Sequence, residues 1–324
     1  MTFDDISTKI KNASIIASAM VVLIHVIEAG CDSSLMVKYG EKGFLSLAVP
    51  FFFTVSGYFL MMKLLHGGGY AMEVKKRIRT LVVPYFILST AYVGMMFVCH
   101  EALSPFVKMG DFALGRIGNI WGITTFPNQP TLGALWYVRC LFMLVVLSPL
   151  LIWIVRRSKV IATTVLLALF VWNFGMDYLV GDMKFWRLGL SKLGIVYFYL
   201  GLYLCCYYPE LREFRYEKTL GVICLSLGVA TLTLPMMIFG FWLTVPRCRF
   251  PRWLTECSFS VYVLHMFTLY LVYAVIKALK LMPYARSVLG VLIVAGLIFV
   301  LTVIVTLVFK RYMPRVAHIV LGGR

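Results

Sequence analysis

The stretch Ala13-Ser14-Ile15-Ile16-Ala17-Ser18-Ala19-Met20-Val21-Val22-Leu23-Ile24-His25-Val26-Ile27-Glu28-Ala29 decides the class of this protein. It approaches the ~20 apolar residues that cross ~30 Å of hydrocarbon, yet it carries a histidine and a glutamate. On a helix at about 100° per residue, Ser18 and Ser14 fall within about 20° of His25. Lys11 and Glu28 fall within about 60° of it. The few polar groups therefore form one stripe, and a stripe of that kind lines a cleft rather than facing lipid.

The rest of the chain repeats the apolar theme. Of 324 residues, 61% are hydrophobic and only 14% charged, and the mean hydropathy is +0.89. Soluble domains carry roughly 25% charged residues, so a soluble, disordered, collagen-like or coiled-coil chain is excluded. Backbone polar groups in lipid must be satisfied within the chain, which leaves a bundle of apolar helices. Further spanning runs are read at 43–65, 81–99, 134–155, 160–180, 192–208, 219–245, 254–278 and 287–309. The stretch 1–12 reads as a polar tail and 310–324 as a basic one, around a single membrane domain over 1–324. Glu28 and His25 argue against cleavage of the first run as a signal peptide.

Charge sets the topology. There are 31 Lys and Arg against 14 Asp and Glu, a net charge of +17. In a membrane protein this excess belongs first to cytoplasmic loops, and no nucleic acid is needed to explain it. Part of it also suits an anionic ligand. Lys75, Lys76, Arg77 and Arg79 form one basic loop, and Arg156, Arg157 and Lys159 a second. With nine crossings, Arg247, Arg249 and Arg252 fall outside, as do Lys310, Arg311 and Arg315. With ten, all become cytoplasmic. We therefore expect 219–245 to split near Thr233-Leu234-Pro235. The fold class is an all-α integral membrane protein of about ten transmembrane helices, with both termini cytoplasmic. The segment 101–133 is either an interfacial helix or a plain loop.

The ionisable residues inside apolar runs are the candidate sites. His25, oriented by Glu28, is either a general base or a packing histidine. Tyr262 and His265 lie one turn apart and are either further site residues or a helix–helix hydrogen bond. Arg139, after Trp136 and Tyr137, is either an interfacial anchor or a substrate contact. Ser56-Gly57 interrupts an aromatic run where glycine allows close backbone approach. Arg77 and Arg79 either set topology or hold phosphates. The eight cysteines show no metal-binding spacing, so no metal is expected.

These landmarks, in this order, resemble the membrane acyltransferase 3 family. The matching pieces are Val21-Val22-Leu23-Ile24-His25, then Pro50-Phe51-Phe52-Phe53-Thr54-Val55-Ser56-Gly57-Tyr58, then Lys76-Arg77-Ile78-Arg79 through Pro84-Tyr85. Leu135-Trp136-Tyr137-Val138 and Ser258-Phe259-Ser260-Val261-Tyr262-Val263-Leu264-His265 complete the set. The resemblance implies about ten membrane helices in a bacterial inner membrane. It implies an acyl-CoA donor used from the cytoplasmic side, with acetyl as the first expectation. It also implies that His25 is the essential histidine, that Arg77 and Arg79 contact the donor, and that Ser56-Gly57 lies near the site. The family pattern has Arg, often Lys, eleven residues before the histidine; Ser14 stands there in this chain. We expect Lys11, one turn away on the same face, to supply that charge.

The expected activity is O-acylation of a surface or lipid-linked glycan. His25 would take the hydroxyl proton or relay the acyl group across the membrane. Glu28, Ser56, Trp136, Tyr137, Arg139, Tyr262 and His265 would complete the site. The rival is a transporter of polysaccharide or lipid-linked sugar without acyl transfer. Transporters often pair Gly/Pro breaks in two halves, and no such pair stands out here.

Overall fold

A computed structural model describes residues 3–41, 43–103, 133–175, 190–208, 216–231 and 233–323. The segment 101–133 that the sequence leaves as interfacial helix or loop lies largely outside them. Among the described residues every element is helical. The long helices are α1 (Phe3–Glu28), α2 (Ala48–Leu65), α4 (Val83–Leu103), α5 (Trp136–Arg157), α6 (Lys159–Gly175), α7 (Lys192–Tyr207), α8 (Glu217–Thr231), α9 (Leu234–Thr244), α11 (Ser258–Ala278) and α13 (Val288–Tyr312). Shorter ones are α3 (Tyr70–Arg77), α10 (Arg252–Thr255), α12 (Met282–Ala285) and α14 (Pro314–Val320). A π-helical turn, Ile78–Val82, joins α3 to α4.

Among the described residues, six segments are long and apolar enough to cross a membrane. They are Ile6–Glu28, Phe44–Leu65, Tyr70–Met95, Gly133–Arg157, Ser258–Ala278 and Val288–Tyr312. Lys159–Asn173, Lys192–Tyr207 and Leu234–Thr244 are shorter apolar helices. The set fits a multi-pass membrane protein.

The stretch read as a polar tail is helical from Phe3 on. Ile6, Lys9, Ile10 and Asn12 are all buried. Lys9 places its ammonium 4.8 Å from the Trp242 ring centre, within reach of a cation–π attraction. Asn12 Nδ2 donates to the carbonyls of Pro246 (2.9 Å) and Cys248 (2.6 Å). Burial and these partners make the first turns part of the bundle. The basic tail at the other terminus also folds. α13 runs on to Tyr312 and α14 follows, with Ala317 and Leu321 buried.

The run 219–245 is two helices. α8 ends at Thr231 and α9 begins at Leu234 with Pro235 in its first turn, where a missing N–H costs nothing. Glu217 and Arg247, at the open ends of this hairpin, form an ion pair of 2.5 Å. Gly221 and Gly240 let the two backbones approach, because a Cβ on Gly240 would lie 2.6 Å from the Leu225 nitrogen. The Arg247 loop thus returns to the end of the bundle where Asn12 sits. Lys11 and Gly322 border a common cavity, so the N-terminal part of α1 and the end of the chain also share that end.

Two local features place the site. α2 lies directly against α7: a Cβ on Gly57 would collide with the Phe198 carbonyl, and one on Gly201 with the Thr54 carbonyl. The glycine of Ser56-Gly57 serves the close backbone approach expected of it. In α5, Pro149 deprives the Val145 carbonyl of its helical donor. Tyr70 OH (2.9 Å) and Ser148 Oγ (2.6 Å) donate to that carbonyl instead, tying α3 to α5.

Candidate functional site

A cavity of about 710 Å³ lies between α1, α2, α5, α11 and the chain end. That is within the usual range for a small-molecule site. α1 contributes Ser7, Ile10, Lys11 and Ser14, which share one face at helical spacing. α2 contributes Phe52, Val55, Ser56, Phe59 and Lys63, again one face. Lys76 and Arg77 come from the end of α3, Tyr137 from α5, and Tyr262 from α11. Gly322 and Gly323 close part of the wall. Gly322 has φ +66° and its Cα side lies against the Thr80 carbonyl, a position that only glycine fills without strain.

The charges in this cavity are unequal. Lys63 is paired with Glu73 at 3.2 Å, and Glu256 with Arg252 at 2.7 Å. Among the described residues no carboxylate forms an ion pair with Lys11, Lys76 or Arg77. Arg77 is buried, and its Nε makes no hydrogen bond. An unsatisfied buried guanidinium is costly. Buried Arg77 and the exposed ammonium groups of Lys11 and Lys76 on one concave wall suit an anion with several oxygens.

The aromatic part of the lining is tightly joined. Phe52, Tyr137 and Tyr262 lie in mutual contact, with ring centres 6.0, 6.1 and 5.4 Å apart. Ser56 Oγ and Tyr137 OH are 3.3 Å apart. Tyr262 OH donates to the Ala134 carbonyl.

A second cluster sits behind Tyr262. The rings of His25 and His265 stack, with centres 5.2 Å apart and planes 23° from parallel. The Tyr262 ring is 6.3 Å from that of His265. His265 is fully buried; its Nδ1 donates to the Tyr262 carbonyl at 2.7 Å. That bond fixes its tautomer and leaves Nε2 as an acceptor, buried and without a hydrogen bond. His25 Nδ1 meets Glu28 Oε2 at 2.6 Å. The two side chains are 22% and 50% exposed, so this cluster opens at the end of α1 away from the cavity. Ser18 links the two regions: its Oγ donates to the Ser258 carbonyl at 2.9 Å.

The sequence-chosen residues therefore fall into three places. Lys11, Ser56, Arg77, Tyr137 and Tyr262 border the cavity. His25, Glu28 and His265 form the histidine cluster. Arg79, Trp136 and Arg139 belong to neither. Arg79 is exposed while Arg77 is buried, because two positions along a helix turn the side chain by about 200°. The pair does not converge on one ligand from these positions. Arg139 bonds the Tyr85 hydroxyl and buries its Nε, so it does not reach out as an interfacial anchor. Trp136 packs near Phe53, ring centres 6.1 Å apart. Of the stripe on α1, Lys11 and Ser14 border the cavity and Ser18 is buried, while Glu28 is exposed.

Sequence reasoning missed Lys63, Phe52 and the Gly322-Gly323 wall. The first two were within reach, since Phe52, Ser56, Phe59 and Lys63 recur at i, i+4, i+7 and i+11 on one helical face. The glycines carried no local signal.

A family model described as an acyltransferase domain matches residues 10–245. No curated protein and no solved structure matches the chain.

Proposed function

Because the chain belongs to the acyltransferase 3 family, we propose that it is an integral membrane O-acyltransferase. It carries an acyl group, acetyl first, from acyl-CoA to a hydroxyl of a surface or lipid-linked glycan. The observation that carries this reading is the meeting of two regions at Tyr262: a cavity whose Lys11, Lys76 and Arg77 pair with no carboxylate among the described residues, and a carboxylate-held histidine. Arg77, Lys11 and Lys76 hold the donor's phosphates. The thioester, at the end of the extended arm of coenzyme A, reaches toward Tyr262.

The chemistry follows from the His25–Glu28 pair. With Nδ1–H donated to the carboxylate, His25 Nε2 keeps its lone pair and acts as base. The acceptor oxygen attacks the thioester carbonyl; a C–O bond forms and the C–S bond breaks. The hydroxyl proton passes to His25 Nε2, and the electron pair leaves with the thiolate of coenzyme A. That proton then returns to the thiolate or to water. Along α1, His25 stands about 21 Å from Lys11, so donor and acceptor enter from opposite ends. Ten membrane segments with both termini in the cytoplasm agree with the common end of the basic loops. A reporter fused to the chain end and active only outside the cell breaks that topology.

Membranes holding the chain should label glycan from radioactive acetyl-CoA, and membranes holding His25→Ala should not. Glycan moved across the membrane without any label would make the protein a transporter instead.

A further inference from the structure

Tyr262 borders the cavity and also stands 6.3 Å from the His265 ring, and the Phe52 and Tyr137 rings pack against it. The centres of the Phe52, Tyr137 and Tyr262 rings stand 5.4 to 6.1 Å apart, the ordinary contact distance of aromatic pairs. No chain of methylenes passes between rings so spaced unless one of them moves. Tyr262 is held by its hydrogen bond to the Ala134 carbonyl, and Tyr137 by its bond to Ser56. Phe52 has no polar atom with which to be tethered. It lines the cavity, with the Phe51 ring centre 5.9 Å from its own.

We propose that Phe52, lodged against Tyr137 and Tyr262, is the specificity-determining residue that limits the donor to an acetyl-sized acyl group. The proposal rests on the acyltransferase reading above and names the donor class of that same site. The thioester carbonyl must come past Tyr262 to meet an acceptor activated by His25. A small displacement of the Phe52 ring makes room for one methyl group. Two further methylenes need the volume that the ring itself occupies. The cationic side of the cavity sees only the coenzyme and is indifferent to chain length, so discrimination falls on the aromatic contact.

The test is a competition. Membranes holding wild type, Phe52→Ala or Phe52→Leu receive equal acetyl-CoA and butyryl-CoA, and mass spectrometry counts the acyl groups on the glycan. One methylene in an apolar pocket changes discrimination roughly 10- to 200-fold. The ratio of butyryl to acetyl should therefore rise about tenfold or more in Phe52→Ala and by less in Phe52→Leu. An unchanged ratio in a variant present in the membrane overturns the proposal. If Phe52→Ala does not accumulate, Phe52→Leu decides by the same criterion. Wild type that transfers butyryl as readily as acetyl overturns the filter and leaves the acyltransferase standing. Wild type that transfers neither overturns the acyltransferase reading, and the filter with it.

Discussion

The cavity and the histidine cluster are built on different physics. On the proposed reading, Lys11, Lys76 and Arg77 act on an anion through charge, over several ångströms. Such contributions are graded, weaken with salt and differ with burial. In the histidine cluster, two rings stack at 5.2 Å and one nitrogen is fixed by a carboxylate at 2.6 Å. Contact geometry of this kind works or fails as a unit. The cavity should therefore govern how strongly the donor binds, and the cluster whether the acyl group moves at all.

Mutations can break that division. The largest effect is expected for His25→Ala, where loss of a positioned base lowers the transfer rate by about 10²–10⁴-fold with the donor KM little changed. Labelled-donor assays on membranes with equal protein level measure it; a change confined to KM would place His25 with the cavity. Next comes Arg77→Ala. Hydrogen bonds to charged groups are worth about 1.5–3 kcal/mol, or roughly 10- to 150-fold in KM for acyl-CoA. Arg79→Ala is the paired control and should be nearly silent, since Arg79 points away from the cavity; equal losses would undo the distinction between them. The smallest effect is expected for Lys11→Ala. An exposed cation contributes up to about 1 kcal/mol, so KM should rise about two- to fivefold at low salt and match wild type at high salt. Full activity of Lys11→Ala at low salt would show that Lys11 does not replace the charge absent at Ser14.

Much of this division was legible in advance. The polar stripe of α1 follows from 100° per residue, and an apolar helix must turn such a stripe inward. The break in 219–245 was legible from Pro235 and from the sign of the Arg247 loop. The same helical arithmetic divides Arg77 from Arg79, but only because the stretch is helical, whereas its charges read as a loop. Arginine beside tryptophan and tyrosine commonly marks a membrane interface, and the bond of Arg139 to Tyr85, from another helix, is recorded by nothing in the sequence around it.

Composition and periodicity alone determined that this is an all-helical membrane chain and which residues are too polar for lipid. Those properties are local: each follows from a helix and its solvent. The stacking of His25 on His265, the joining of Phe52, Tyr137 and Tyr262, and the Gly322-Gly323 wall came only from the folded arrangement. Each joins residues far apart in the chain, and their contacts depend on how deep α1, α2, α5 and α11 lie against one another. The carbonyl of Ala134 that receives Tyr262 ties α11 to the start of α5, as close backbone approach at Gly57 and Gly201 ties α2 to α7, and no periodicity within one helix records either.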